Sequence, residues 1–234
     1  MLNVSDELIK YKKDDVDKFK YFHKTTEGGY AQFDEFLGIT VPDIRKVANK
    51  VYKDIKEKQI QDLFNSQYHE ERLCALIILV LKSKNADVSE KYNILEFYLK
   101  NTKNINGWDL VDLSAPYILG NLVLKDSKAK KYIYSLSDSA NMWEQRIAIV
   151  SNLTLIRSGI YTYVLDIADK FLESQYDLIH KALGWMLREI GKKDFTTLYN
   201  YLVENYTKMP RTMLRYSIER FDENLRQKFL KGEI

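Results

Sequence analysis

Five positions of the chain recur with nearly constant spacing. Arg72, Asp112, Arg146, Lys181 and Arg215 occupy the same slot of five helix-like segments, separated by 40, 34, 35 and 34 residues. A period of that size marks stacked two-helix repeats, whose equivalent positions line one face. Four of the five slots are cationic, so that face is expected to attract a polyanion. The second slot is Asp112, and Trp108 precedes it by one helical turn. A carboxylate and an indole in a basic trough suggest that the polyanion is acted on there as well as held.

The breakers agree with an all-helical stack. Only 3 Pro and 9 Gly occur in 234 residues, with 45% hydrophobic residues and 17 Tyr. No Pro/Gly/Ser-rich linker divides the chain, so we expect one all-α domain over 1–234. Within it, 1–38 forms N-terminal helices and a loop, and 39–234 forms the HEAT-like repeat stack with a concave basic face. The net charge of +3 excludes a histone-like polycation; a localised stripe matters more than the total. The single cysteine, Cys74, lies in an apolar run and is expected in the core, so no disulfide forms within the chain. Without an N-terminal apolar segment or 18 consecutive apolar residues, the expectation is a cytoplasmic protein that does not enter membranes.

Helical periodicity predicts elements at Ser5–Lys13, Asp15–Lys24, Pro42–Ile55, Glu57–Phe64, His69–Ser83 and Val88–Thr102, then Trp108–Lys125 and Ser127–Leu136. The remainder are Trp143–Ser158, Tyr161–Glu173, Leu178–Gly191, Phe195–Tyr206, Pro210–Phe221 and Glu223–Lys231. Thr25–Gly38 is expected to be a loop or broken helix, because Gly28 and Gly29 each disfavour a helix by about 1 kcal/mol relative to Ala. Gly159 and Gly191 are expected to stop helices, and Asp126, Asp177 and Asp194 to cap them.

Each chemical constellation has a structural alternative. Trp108 and Asp112 share a helix face at i and i+4, whereas Asp109 points away near the helix start, where the dipole favours a carboxylate. Asp112 either acts on the bound polyanion or forms a salt bridge between repeats; Trp108 is either a platform or core. Arg146 is either a bidentate phosphate clamp or a brace for the stack. Trp185 follows Lys181 by four positions, with Arg188 beyond, and the two indoles could pack on a deoxyribose or base. Arg211 and Arg215 add cations at helical spacing, as a solvated face also would. His23, His69 and His180 are scattered without ligand spacing, which supports no zinc site. His69 is expected to be exposed at a helix start and His180 partly buried. No phosphate loop, nucleophile elbow or kinase signature occurs.

Three blocks resemble a known family in order along the chain. Asn106-Gly107-Trp108-Asp109-Leu110-Val111-Asp112-Leu113-Ser114-Ala115-Pro116, Trp143-Glu144-Gln145-Arg146-Ile147-Ala148-Ile149 and His180–Glu189 are similar to the AlkD-like, HEAT-like-repeat DNA alkylation repair proteins. Phe36-Leu37-Gly38-Ile39, with Pro42 and Arg45, also looks like that family. Active members release N3- and N7-alkylated purines from duplex DNA as monofunctional glycosylases, without metal or other cofactor. By that resemblance Asp112 is the catalytic carboxylate, and Trp108 and Trp185 contact the deoxyribose of the damaged nucleotide. By the same resemblance Arg146 sits at the DNA backbone; the slot and helical spacing add Lys181, Arg188, Arg72, Arg211 and Arg215 as expected DNA contacts. The expected partner is double-stranded DNA, alkylated or otherwise distorted, bound by a monomer. The family's N-terminal recognition aromatic has no counterpart in register here; Tyr30 is the candidate lesion contact. A DNA-binding module that recognises damaged or branched DNA without excision is the alternative. A protein-binding solenoid is disfavoured by the basic slots and paired tryptophans.

Overall fold

The computed structural model describes residues 3–234, and they are all-helical with no strand; one isolated bridge pairs Glu35 with Tyr68. Packing divides the chain into two compact units, with the boundary between Ile118 and Leu119.

The first unit contains α1 (Val4–Ile9), α2 (Asp17–His23), α3 (Val41–Val51), α4 (Glu57–Phe64), α5 (His69–Asn85), α6 (Val88–Lys100) and α7 (Trp108–Asp112). Its axis is α5, against which α3, α4, α6 and α7 pack. Leu73 through Leu79 are all buried, so α5 has no solvent stripe along that run, as expected of a helix enclosed by others. Cys74 lies in this core as the sequence predicted, and burial, with the charge of Glu71, pushes its thiol pKa up to about 12. Residues 25–40 form no helix, in keeping with the loop expected around Gly28 and Gly29.

The second unit contains α8 (Asn121–Lys125), α9 (Lys130–Ser137), α10 (Met142–Val150), α11 (Asn152–Arg157), α12 (Thr162–Ala168), α13 (Asp177–Gly191), α14 (Phe195–Asn205), α15 (Arg211–Ser217) and α16 (Glu223–Lys231). Here α13 is central, packed by α10, α11, α14 and α15.

Several predicted boundaries are corrected. The expected helix Trp108–Lys125 breaks after Asp112 and resumes through a π turn at Pro116–Gly120, because Pro116 has no N–H to continue the ladder. The segment Trp143–Ser158 divides at Ser151, whose hydroxyl bonds back to the Ala148 carbonyl at 2.9 Å. Gly159 follows α11 with φ 82°, the left-handed stop expected of it. Gly191 instead remains the last residue of α13, and Asp177 is its first helical residue, with Tyr176 at the cap. Asp194 caps α14 through the Thr197 amide at 3.0 Å.

Candidate functional site

A buried carboxylate fixes the N-terminal loop to α5. Glu70 accepts the amides of Leu37, Gly38 and Ile39 at 3.0, 2.8 and 3.2 Å. Three backbone donors thereby gain a charged acceptor where water does not reach. Within the run, Gly38 has φ 73°, the left-handed conformation that glycine adopts without strain and that lets the three amides converge.

At the same end of α5, and reaching into the same loop through Asp34, lies a buried polar network. Asp34 forms an ion pair with Arg72 at 2.5 Å, accepts from Asn106 Nδ2 at 3.0 Å, and meets His69 Nδ1 at 3.2 Å. His69 Nε2 meets Asp109 Oδ2 at 2.9 Å. Burial pushes the His69 pKa down, but Asp109 and the bond to Asp34 outweigh it, raising it to about 9. The protonated imidazole therefore donates from both nitrogens, one to each carboxylate. Despite their burial, Asp34 and Asp109 are held below the usual carboxylate range, Asp34 by His69 and Arg72 and Asp109 chiefly by His69.

The aromatic wall follows from the same residues. His23, at the end of α2, lies 4.4 Å from His69 between ring centroids and parallel to Trp108 at 5.7 Å and 7°. Phe36 packs against both imidazoles. Burial lowers the His23 pKa against the pull of Asp109, so this ring is neutral. Gly107, the residue before α7, allows the close packing: a Cβ there would lie 2.9 Å from both Asp109 Oδ1 and His69 Cε1. His23 and Trp108 wall a cleft of about 550 Å³ with Phe19 and Phe22, and Lys13 and Lys18 stand on its lining. Beyond it, α2 presents Tyr21 and Phe22, 82% and 56% exposed, among the exposed cations Lys18, Lys20 and Lys24, and Phe33 is 85% exposed.

The predicted site residues divide by unit. In the first, Trp108 and Asp112 stand one turn apart on α7, both half-buried. The Asp112 charge adds to burial in keeping the enclosed Tyr98 phenol un-ionised, against the opposing effect of its hydrogen bond to Ser114. Tyr30 is half-buried and donates to the Phe22 carbonyl at 3.3 Å, tying the loop to α2. Arg72 departs from expectation: only 7% exposed, it is enclosed with Asp34 rather than presented on an open face.

In the second unit, Arg146 is likewise buried, and its Nη1 donates to the Leu178 carbonyl at 2.6 Å, joining α10 to α13. On α13, Lys181 pairs with Asp177 at 2.6 Å, Arg188 pairs with Glu219, and Trp185 Nε1 donates to Glu189 at 3.1 Å. Arg211 donates to the Leu230 carbonyl at 2.7 Å, and Arg215 is exposed.

Sequence reasoning missed Asp34, His23, His69 and Asp109 as a group. His69 is 2% exposed, not an open helix start, and Asp109 turns inward to meet it. The histidines and Asp109 stand 46 and 40 positions apart, so only the fold brings them together. The alternation Lys18-Phe19-Lys20-Tyr21-Phe22-His23-Lys24 was the available signal for the α2 surface.

Comparison with known proteins bears on the family and the fold. The family described as "DNA alkylation repair enzyme" matches residues 6–221. No curated protein matches the chain. A solved structure described as a predicted DNA alkylation repair enzyme from Enterococcus faecalis superposes with a TM-score of 0.73 at 15% identity, over 91% of this chain and 98% of that one. Another superposes with a TM-score of 0.60 at 13% identity, over 98% and 93%; it is described as a new family of proteins related to the HEAT-like repeat DNA glycosylases with affinity for branched DNA structures. The fold is thus the all-helical one of the HEAT-like repeat DNA glycosylases. The match over residues 6–221 covers nearly the whole sequence, and the chain belongs to the DNA alkylation repair enzyme family.

Proposed function

We propose that this protein binds DNA and hydrolyses the N-glycosidic bond of N3- or N7-alkylated purines. The observation that carries the reading is the arrangement of α7. Its Trp108 indole is fixed by the parallel His23 ring on the wall of an apolar cleft, and Asp112 follows one turn later. An alkylated purine is cationic, so the face of an indole attracts it. Its positive charge makes it a good leaving group without a strong general acid. A carboxylate beside the sugar then stabilises the developing oxocarbenium ion and orients water. Lys13 and Lys18 at the cleft and the exposed Arg215 supply sequence-independent attraction to phosphates. Duplex DNA containing N7-methylguanine tests the reading: the expected result is release of the free base, and intact DNA after prolonged incubation overturns it.

A second reading, recognition of branched DNA without excision, is favoured by a different observation. Tyr21, Phe22 and Phe33 are exposed among Lys18, Lys20 and Lys24. Aromatics interleaved with cations suit unpaired bases, which they stack while the cations follow the backbone. Tighter binding to a four-way junction than to a linear duplex, with no base released, selects this reading.

A further inference from the structure

We infer that His23, His69 and Asp109 form a binding site for a divalent transition-metal ion of the zinc type. The inference stands apart from the excision reading and needs none of its chemistry.

The donors converge from three elements: the end of α2, the start of α5 and the first turn of α7. One ligand atom from each residue, a ring nitrogen of each histidine and an Asp109 carboxylate oxygen, lies within 4.8 Å of the others. Asp109 Oδ1 is 3.1 Å from His69 Nε2 and 3.7 Å from His23 Nδ1. Tetrahedral zinc with bonds of about 2.0–2.2 Å needs its ligands about 3.3 Å apart, and these separations bracket that value.

Two further observations point to a ligand. His23 is 7% exposed, and its Nδ1 has no hydrogen-bond partner among the described residues although it faces the Asp109 carboxylate. Neither tautomer resolves this. A proton on Nδ1 lies too far from Asp109 to bond well, and a lone pair there faces negative oxygen. A cation between the two answers both. The outer groups are also those of a metal site. His69 presents its other nitrogen, Nδ1, to Asp34, and Asp34 is fixed by Arg72 and Asn106. A carboxylate behind a ligating imidazole sets its tautomer and orientation, leaving Nε2 for the ion. Gly107 keeps the space clear, since a Cβ would press on Asp109 and His69 together. Two nitrogens and one oxygen suit zinc better than calcium or magnesium and leave one coordination position for water or a ligand oxygen. Without the ion, a proton on His69 Nε2 bridges the same gap.

The test uses the untagged full chain, stripped with a chelator, then titrated with Zn²⁺ by calorimetry and with Co²⁺ by visible absorbance. The expected result is one ion per chain and a d–d band of low-symmetry cobalt. His69→Gln risks unfolding, because His69 joins two buried carboxylates. His23→Phe keeps a ring against Trp108 and Phe36 but has no nitrogen. It should retain the helical circular dichroism and lose more than about tenfold in affinity. His180→Gln should bind as the wild type does. Absence of stoichiometric binding, equal affinity in His23→Phe, or loss of binding in His180→Gln overturns the site and leaves the protonated His69 bridge as its whole role.

Discussion

The imidazole of His23 lies parallel to the indole of Trp108, with ring centroids 5.7 Å apart and planes 7° from coincidence. The contact holds a half-buried indole in one orientation on the cleft wall, so that a base entering the cleft meets a fixed surface. Trp108→Ala removes both partner and platform. We expect it to destabilise the fold by about 0.5–1.5 kcal/mol beyond the lost burial and to slow base release. Trp108→Phe should restore most of the stability and part of the activity. Urea unfolding and excision assays on the same preparations separate the two losses.

Glu70 concentrates three backbone amides on one carboxylate, so it should be among the most sensitive polar positions of the first unit. Glu70→Gln keeps the size but replaces one acceptor oxygen by a donor and removes the charge. The expected cost is about 1.5–3 kcal/mol, read as a lower urea midpoint with unchanged m. The Leu37–Ile39 amides should also lose protection in hydrogen exchange.

Cys74 gives a pH prediction with a definite sign. Its thiol pKa is raised by burial to about 12, from an ordinary value of 9.0. The unfolded chain releases this proton first, so the thiol's contribution to stability is complete below pH 9.0 and declines as pH rises toward about 12. Cys74→Ala should flatten that part of the stability curve. Native protein should react with a thiol reagent only as fast as the core opens, and at once in denaturant.

Local signals explain which elements were legible. Glu57–Phe64 and Glu223–Lys231 agree with the sequence reading to the residue, because periodicity and end signals coincide there. The buried network was illegible for the opposite reason. The run His69-Glu70-Glu71-Arg72 has the composition of a solvated first turn, yet all four residues are buried, His69, Glu70 and Arg72 with partners thirty or more positions away. Repeat spacing identified Arg72 and Arg146 as equivalent slots but could not tell an open face from an enclosed one. Asp112 and Trp108 were recognisable because their relationship is confined to one helical turn.

Arg146 and Arg215 should now behave differently despite their shared slot. Arg146 is buried against the Leu178 carbonyl, whereas Arg215 is exposed. Arg146→Ala should cost about 1–3 kcal/mol of stability and leave the salt dependence of DNA binding unchanged. Arg215→Ala should leave stability alone and flatten the slope of log K against log salt by about one unit, the share of one phosphate contact. Fluorescence anisotropy over a salt series, paired with thermal melts, decides between the roles. A flattened slope in folded Arg146→Ala would restore it as a phosphate clamp.

Asp112 carries the chemical proposal, and its substitution tests it most directly. If its carboxylate stabilises charge on the sugar, Asp112→Asn should preserve shape, folding and DNA affinity while slowing excision. One such electrostatic group is worth about a hundredfold to a thousandfold in rate. The cationic lesion already supplies part of the driving force, so the expected loss is near a hundredfold. The charge of Asp112 also bears on the enclosed Tyr98 phenol, so removing it should lower the Tyr98 pKa somewhat without breaking the Tyr98–Ser114 hydrogen bond at 3.1 Å. Single-turnover release of N7-methylguanine, with DNA affinity and melting temperature measured in parallel, isolates the chemical effect. An unfolded Asp112→Asn would make the carboxylate a structural brace, and a folded variant with undiminished release would remove it from the reaction.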